Sequence, residues 1–296
     1  MNNIPLRTLL LDRLGRFFPQ IFWQWYSIQS RRQGFDQLYL TLSFDCDTQQ
    51  DIEAAEALHV WLAEHNIKAT YAVPGQQLEE GSMVYKSLAR QGADFINHGA
   101  RSHTVWREDR YQSDAFYNLM SPQEVIDDIR KGHEMVTRII GKAPRGFRGP
   151  HFGRFQQSWQ LDLIYSTLKP LGYTFATTTV PEYGFIHGPA RNVAGIVEFP
   201  LSGSSTAPIS LLDSYTYIIS PKERIVTDDY GLLLMRTVER LLAWKVCGLL
   251  NIYVDPSHVI HNNLFFEAME YIAERKITSL QYPEVLTILN KSSSEN

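Results

Sequence analysis

Short apolar runs alternate with longer stretches of helical periodicity from residue 37 onward. The run LYLTLSFD at 38–45 predicts a buried strand, and apolar residues recur on one helical face from near Asp51 to Leu62. Further strands are predicted at 68–73, 93–97, 146–148, 173–179, 195–199 and 249–254, and further helices at 82–91, from Ser121-Pro122 onward, and at 158–169, 231–245 and 263–275. Because this alternation is typical of parallel sheets and no Ser/Gly-rich linker interrupts it, we predict one α/β domain over 37–290.

Two stretches lack this periodicity. Residues 99–120 are polar and aromatic, and we expect them to form a long irregular loop. The chain end at 291–296, KSSSEN, is predicted to be a flexible tail.

The segment 1–36 is aromatic and basic. It contains Phe17, Phe18, Ile21, Phe22, Trp23, Trp25 and Tyr26 beside Arg13, Arg16, Arg31 and Arg32. One interpretation is that the aromatic side chains pack on the flank of the barrel, and the other is peripheral membrane contact through residues 13–32. Because charged residues interrupt the apolar run before it could form an export signal or a membrane span, we expect a cytoplasmic protein, at the inner face of the membrane if this segment binds lipid.

Composition narrows the class of protein. The chain has 296 residues, of which 44% are hydrophobic and 20% charged, with only two cysteines. These values exclude a disordered chain and a disulfide scaffold, and the length suits one barrel of ~250 residues. With 28 basic against 32 acidic side chains and a net charge of -4, a nucleic acid is not expected as a partner. Phosphate-loop, dinucleotide-binding and serine-esterase motifs are absent from the sequence.

Four predicted strands are followed at once by chemically active residues. These stretches are SFDCD (43–47), NHGARSH (97–103), FRGPHFG (147–153) and VDPSH (254–258). Because the carboxyl ends of parallel strands meet at one edge, their side chains are expected to share a site.

Two carboxylates close the first strand. Asp45 and Asp47 are two residues apart, so both point to the same side of the strand. They would repel each other unless a divalent cation and an arginine neutralised them, and His98, His103 and Arg148 could complete such a set. One aspartate and two histidines suit zinc with open positions. Helix capping is the other interpretation of the aspartates, and a structural role is the other interpretation of the histidines.

In their order along the chain, SFDCD, NHGARSH and GFRGPHF resemble the motifs of the polysaccharide deacetylase family, the NodB-homology or carbohydrate esterase family 4 proteins. The resemblance extends over most of residues 38–285 and includes KATYAVPG, the helix before GFRGPHF, and GIVEFPLS. It implies a distorted (β/α) barrel and a hydrolase that depends on a divalent metal, with zinc as the expected ion.

The resemblance also implies a role for each residue. Asp45 would be the general base, and Arg148 would orient it and keep it ionised. The metal ligands would be Asp47, His98 and His103. Asp45 would deprotonate water at the metal, this water would attack an acyl carbonyl, and a backbone N–H near His151 would help to hold the oxyanion.

The sequence departs from the family pattern at three points. Where the family has its acid histidine this chain has Asp255, and His258 follows three residues later. We expect His258 to be the general acid, oriented by Asp255. There are two alternatives: Asp255 itself protonates the leaving amine, or the chain has lost this protonation step. Four residues rather than three separate His98 from His103. The aspartate that supports the family's acid is missing from YTFATTTVP at 173–181.

The expected function is removal of an N-acyl group from an amino sugar, and N-acetyl is the acyl group that we expect. The sugar would belong to a glycan or to a lipid- or nucleotide-linked glycan precursor. One alternative is hydrolysis of a small non-sugar amide, which related sequences also perform. The other is a non-catalytic carbohydrate-binding pseudoenzyme that has lost the acid at position 255.

Overall fold

The computed structural model describes residues 6–216, 218–220, 225–226 and 229–294. Its helices are α1 (Leu6–Phe17), α2 (Pro19–Arg32), α3 (Gln49–Glu64), α4 (Gly75–Glu80), α5 (Ser82–Arg90), α6 (Pro122–Ile140), α7 (Ser158–Leu168), α8 (Pro181–His187), α9 (Asp229–Ala243), α10 (Pro256–Val259), α11 (Asn263–Glu274) and α12 (Tyr282–Ser294). Its strands are β1 (Leu38–Asp45), β2 (Ala69–Val73), β3 (Asp94–Asn97), β4 (Thr104–Arg107), β5 (Arg110–Ser113), β6 (Gly146–Phe147), β7 (Phe175–Ala176), β8 (Arg191–Val193), β9 (Ile196–Glu198), β10 (Ile218–Ser220), β11 (Ile225–Val226), β12 (Gly248–Val254) and β13 (Thr278–Ser279).

One main sheet organises the domain. Its strands follow the order β12-β1-β2-β3-β6-β7-β9-β8, and β13 pairs with β1. All of these pairings are parallel except that between β8 and β9. The sheet curls into an incomplete barrel, and the side chain of Asn251 bridges the remaining gap by donating to the carbonyls of Phe199 and Pro200. The predicted single α/β domain with a distorted barrel is therefore confirmed.

The long stretch expected to be irregular contains a hairpin. β4 and β5 pair antiparallel, with Arg107 opposite Arg110. Glu108 and Asp109 form the turn with φ of 53° and 55°. A turn with two positive φ angles usually contains Asn-Gly or Asp-Gly, and Glu-Asp gives no such signal in the sequence.

The sequence pattern predicted no helix after residue 275, and the structure has a further one, α12. α12 continues to Ser294, so most of the expected tail at 291–296 is helical, and residues 295–296 lie outside the described part of the chain. Tyr282 and Val285 are fully buried, and Leu289 packs against the same core. This packing stabilises the helix at its start and along its length.

The aromatic segment at the start of the chain lies against the barrel by one side only. The rings of Trp23 and Tyr26 are buried against Phe185, with centroids 5.3 and 5.7 Å away, and the Tyr26 hydroxyl donates to the Leu249 carbonyl at 2.7 Å. One side of α2 therefore packs on the flank of the barrel. Phe17, the last residue of α1, is by contrast 77% exposed. Within the described residues, every helix is too short or too polar to cross a bilayer.

Replacing Trp23 with alanine should lower the free energy of unfolding by about 3–5 kcal/mol, because it removes a fully buried ring. Urea denaturation measures this value. The matched variant Phe17→Ala should stay within about 0.5 kcal/mol of the wild type, since the ring is largely exposed. An equal decrease in the free energy of unfolding in both variants would show that burial of the Trp23 ring does not stabilise the packing of α2 on the barrel.

Candidate metal and catalytic site

The aspartates after β1 are not helix caps. Thr48 is the N-cap of α3, and Asp51 completes a capping box by accepting from the Thr48 backbone N–H at 2.9 Å. Asp45 and Asp47 instead line one cavity together, as their spacing predicted. Cys46 between them is buried in the apolar core. The capping interpretation is therefore wrong for both carboxylates.

Arg148 fixes the position of Asp45 from inside the barrel. Its guanidinium is fully buried and donates to Asp45 Oδ1 at 2.5 Å, to Ser43 Oγ at 2.7 Å and to the Tyr282 hydroxyl at 3.0 Å. Burial raises the pKa of Asp45 to about 7, and the guanidinium acts against that rise by favouring the charged carboxylate. The pair thus holds a carboxylate that titrates near neutral pH at the floor of the cavity.

The loop after β3 is held in one conformation by Asp128. The carboxylate of Asp128 accepts from the Arg101 backbone N–H at 3.0 Å and from the Tyr117 hydroxyl at 2.8 Å. Gly99 has φ of 80°, and a Cβ there would collide with the Asp128 carboxylate. Glycine is therefore required in NHGARSH, and the resulting turn brings His98 and His103 together with ring centroids 4.3 Å apart.

Asp47, His98 and His103 form a group that fits a metal ion. Their potential ligand atoms all lie within 4.8 Å of one another. His103 Nδ1 is 3.3 Å and His98 Nε2 is 3.8 Å from Asp47 Oδ1. His98 Nδ1 lies 2.9 Å from the Arg148 carbonyl, so it carries the proton and directs the Nε2 lone pair at the carboxylates. The extra residue between the histidines does not separate them.

The electrostatics of the group favour a cation. Burial lowers the pKa of His98 well below its usual value, so this ring is neutral and able to ligate. Burial also acts to lower the pKa of His103, but the Asp47 carboxylate outweighs it and the net direction is upward. Both ring nitrogens of His103 are buried and make no hydrogen bond within the described residues. A buried ring nitrogen without a hydrogen bond, 3.3 Å from the Asp47 carboxylate, is consistent with a cation between the two groups.

The cavity above these residues has a volume of about 320 Å³. Its walls include the rings of four Phe and Tyr side chains, Phe116, Phe152, Tyr215 and Tyr253. Asp255 also lines it, and His258 is buried and is not among the residues that line it. His258 Nε2 lies 3.6 Å from Asp255 Oδ2, and its Nδ1 is 3.0 Å from Ser214 Oγ. The four sequence motifs thus meet at one site, with Asp255 nearer to the cavity than His258.

His151 forms part of the rim of the cavity. Its backbone has φ of 53°, a left-handed conformation that is strained for a residue with a side chain. Its ring stacks on Phe116 at 4.2 Å, and Nε2 donates to the Asp114 carbonyl at 2.6 Å. Burial lowers the pKa of this imidazole to about 4, so it is neutral. His151 therefore joins the motif after β6 to the end of the β4–β5 hairpin.

Several residues of the site escaped the sequence reasoning. Tyr282 and Ser43 bind Arg148, and Ser214 contacts His258 although it lies 44 positions earlier. Ser43 and Tyr253 had a signal, because each precedes a predicted site aspartate by two residues and so lies on the same side of β1 or β12. In the stretch 173–181, from which the family's supporting aspartate is missing, Thr178 and Thr179 donate to the buried Glu198 carboxylate.

Fold and site together define a curled parallel sheet with an Asp/His/His group and a buried Asp–Arg pair at its carboxyl edge. Residues 33–175 match the family model described as polysaccharide deacetylase. This part of the chain therefore contains a polysaccharide deacetylase domain, as its motifs predicted. A search of the curated proteins found no match.

Solved structures with the same fold are distant in sequence. A protein of Mycobacterium smegmatis assigned to the polysaccharide deacetylases is 16% identical, with a TM-score of 0.61 over 88% of this chain and 92% of that one. A family 4 carbohydrate esterase of Streptomyces lividans in complex with acetate is 12% identical, with a TM-score of 0.52 over 83% of this chain and 93% of that one. A family 4 pseudoenzyme of Bacillus anthracis is 13% identical, with a TM-score of 0.52 over 85% of this chain and 66% of that one. At these identities the likeness shows the fold alone.

Full-length protein should bind about one zinc ion per chain, and Asp47→Asn, His98→Ala and His103→Ala should each lower the affinity. Elemental analysis after dialysis measures the content. Zinc at 1,000 times its Kd should add about 4 kcal/mol to the free energy of unfolding of the wild type. His65→Ala is the matched control, since that ring lies at the end of α3 and contacts the Trp61 carbonyl. Unchanged zinc binding in all three variants would remove the group as a metal site.

Proposed function

We propose that this protein is a metal-dependent hydrolase that removes an N-acetyl group from an amino sugar in a glycan or glycan precursor. One observation carries the proposal: Asp45, held by a buried arginine, lies 3.7 Å from a ring nitrogen of His98 in the Asp/His/His group, at the base of an aromatic cavity. A base beside a cation site, in a cavity large enough for a substrate, is the arrangement that amide hydrolysis needs.

Asp45 is the general base in this proposal. A water at the floor of the cavity gives up its proton to Asp45 and attacks the acyl carbon, and the C–N bond then breaks to leave acetate and an amine. The ionised form of Asp45 is the active one, and Arg148 stabilises it.

Asp47, His98 and His103 would hold the metal. A divalent cation there would supply a Lewis acid that polarises the acyl carbonyl and makes water more acidic. The Arg148 carbonyl orients His98, so the same residue supports the base through its side chain and a ligand through its backbone. The backbone turn at His151 is our proposed source of an N–H for the oxyanion.

The acid step is assigned to Asp255 rather than to His258. Asp255 lines the cavity, whereas His258 does not line it. Ser214 Oγ accepts from the Asp255 backbone N–H at 2.9 Å, so its own proton can go to His258 Nδ1. That leaves the His258 proton on Nε2, facing Asp255. In this arrangement the Asp255–His258 pair takes up one further proton from water, His258 Nε2 holds the carboxyl group of Asp255 in place, and Asp255 gives that proton to the leaving amine.

The sugar substrate is supported by the walls of the cavity and by the comparisons. Phe152 and Tyr253 lie with ring centroids 5.0 Å apart, and aromatic faces pack well against the apolar faces of pyranose rings. The family is named for polysaccharide deacetylation, and the Streptomyces lividans esterase was solved with acetate.

A second candidate is a non-catalytic carbohydrate-binding protein. The observation that favours it is the carboxylate of Asp255 at the position where the family has an imidazole. One structural neighbour is a pseudoenzyme, and a mutant of it has restored enzymatic activity. This precedent shows that the fold can persist without turnover.

Acetate release from chitin oligomers by zinc-loaded full-length protein tests the proposal. We expect turnover by the wild type, a decrease in kcat of about 10²- to 10⁴-fold in Asp255→Asn with zinc content retained, and a smaller decrease in His258→Ala. The reverse order of these two variants would assign the acid step to His258.

Two other results would contradict the main proposal. Hydrolysis of small aliphatic amides but not of acetylated sugars would rule out the sugar substrate. Oligosaccharide binding without acetate release, together with turnover in Asp255→His, would show that the wild type is the non-catalytic binding protein.

A further inference from the structure

Helix α2 is apolar on two opposite faces. Trp23 and Tyr26 point into the barrel and are at most 5% exposed. On the opposite face Ile21, Trp25 and Ile28 are 65%, 52% and 47% exposed. The helical period of 3.6 places these three side chains in one stripe. Packing on the barrel explains the first face and leaves the second against solvent.

Helix α1 continues this outer surface. Leu10, Leu14 and Phe17 are 53%, 50% and 77% exposed, and Phe18 at the junction of the helices is 55% exposed. Eight of the fifteen strongly exposed large apolar side chains in the described part of the chain lie between residues 9 and 28. Such a concentration marks an interaction surface, since scattered single apolar residues are normal.

An apolar groove lies beside the stripe. It has a volume of about 350 Å³ and includes Leu11, Ile21, Trp25, Ile186 and Ile209 in its walls. Its acidic wall residue, Glu182, accepts from Thr8 Oγ1 at 2.8 Å. The outer surface of α1 and α2 is thus continuous with a groove of hydrocarbon character.

The charge of this region differs from that of the whole chain. Residues 6–36 contain five arginines and two aspartates, although the chain has a net charge of -4. Arg13, Arg31 and Arg32 are exposed, and Arg16 binds Asp12 at 2.9 Å. Exposed arginines beside aromatic and aliphatic side chains complement a surface that is apolar inside and anionic at its boundary.

We propose that the outer surface of α1 and α2 binds the headgroup region of an anionic lipid membrane. The two helices would lie in the plane of the interface with Phe17, Ile21 and Trp25 in the acyl boundary and the arginines among the phosphates. The occupant is lipid because the apolar stripe and the arginines together match both layers of a bilayer surface.

The outer surface of α1 and α2 is connected to the cavity by one loop. α1 approaches Pro208 at Gly15, and Trp23 Nε1 donates to the Ser204 carbonyl. The same loop continues to Leu211 and Tyr215, which line the cavity. Membrane binding would therefore place the rim of the cavity next to the bilayer, where lipid-linked molecules are present.

Vesicle flotation of the full-length protein tests the proposal. The probe is vesicles of phosphatidylcholine with about one third phosphatidylglycerol, compared with phosphatidylcholine alone. The wild type should float with the anionic vesicles and bind them less at high salt. Phe17→Ser/Ile21→Ser should reduce the bound fraction at least about tenfold. Met83→Ser/Leu119→Ser is the matched control, because it removes two equally exposed apolar side chains elsewhere.

Circular dichroism of each variant checks that the fold is retained. Arg13→Glu/Arg32→Glu should also weaken binding to the anionic vesicles without changing the spectrum. No flotation of the wild type, or equal binding by the wild type and Phe17→Ser/Ile21→Ser, would overturn the proposal. A dimer that Phe17→Ser/Ile21→Ser dissociates, without any vesicle binding, would assign the surface to a second copy of this chain.

Discussion

The site depends on a guanidinium that has no access to solvent. Moving the Arg148 side chain from water into the barrel costs several kcal/mol, and only a well-placed anion and further acceptors can offset this. Asp45, Ser43 and Tyr282 supply them, and they come from two elements far apart in the chain, β1 and the start of α12. The guanidinium therefore links the first strand, through its ion pair with Asp45, to the last helix, through its hydrogen bond to Tyr282. Removing either charge would leave the other one buried, which typically costs about 3–5 kcal/mol.

The same pair determines the chemistry of the cavity. Burial favours the protonated form of Asp45, and Arg148 favours the ionised form, so the pKa of this carboxyl falls near neutrality. The backbone carbonyl of Arg148 orients His98, and His98 forms the Asp/His/His group with Asp47 and His103. Base and ligand group are thus positioned by a single residue at the end of β6. The loop held by Asp128 then needs only to bring His103 to the same point.

Much of this arrangement could be read from the sequence, since it depends on local rules. Alternation in β1 put Asp45 and Asp47 on one side, and the ends of parallel strands brought His98, His103, Arg148 and Asp255 to one edge. What could not be predicted depends on long-range packing. Tyr282 meets Arg148 only because α12 packs under the sheet, and the burial of His258 follows from the loop at Ser214. The β4–β5 hairpin was missed because its turn residues carry no glycine.

The central claim is that Arg148 sets the ionisation of a buried base, and a carboxyl ¹³C NMR titration of Asp45 in metal-free protein tests it directly. The account predicts a pKa of about 7 in the wild type. In Arg148→Met the pKa should be higher, because the buried carboxylate loses its counter-charge, and in Arg148→Lys it should lie between these two. A wild-type pKa near 4, or the same value in wild type and Arg148→Met, would contradict the account.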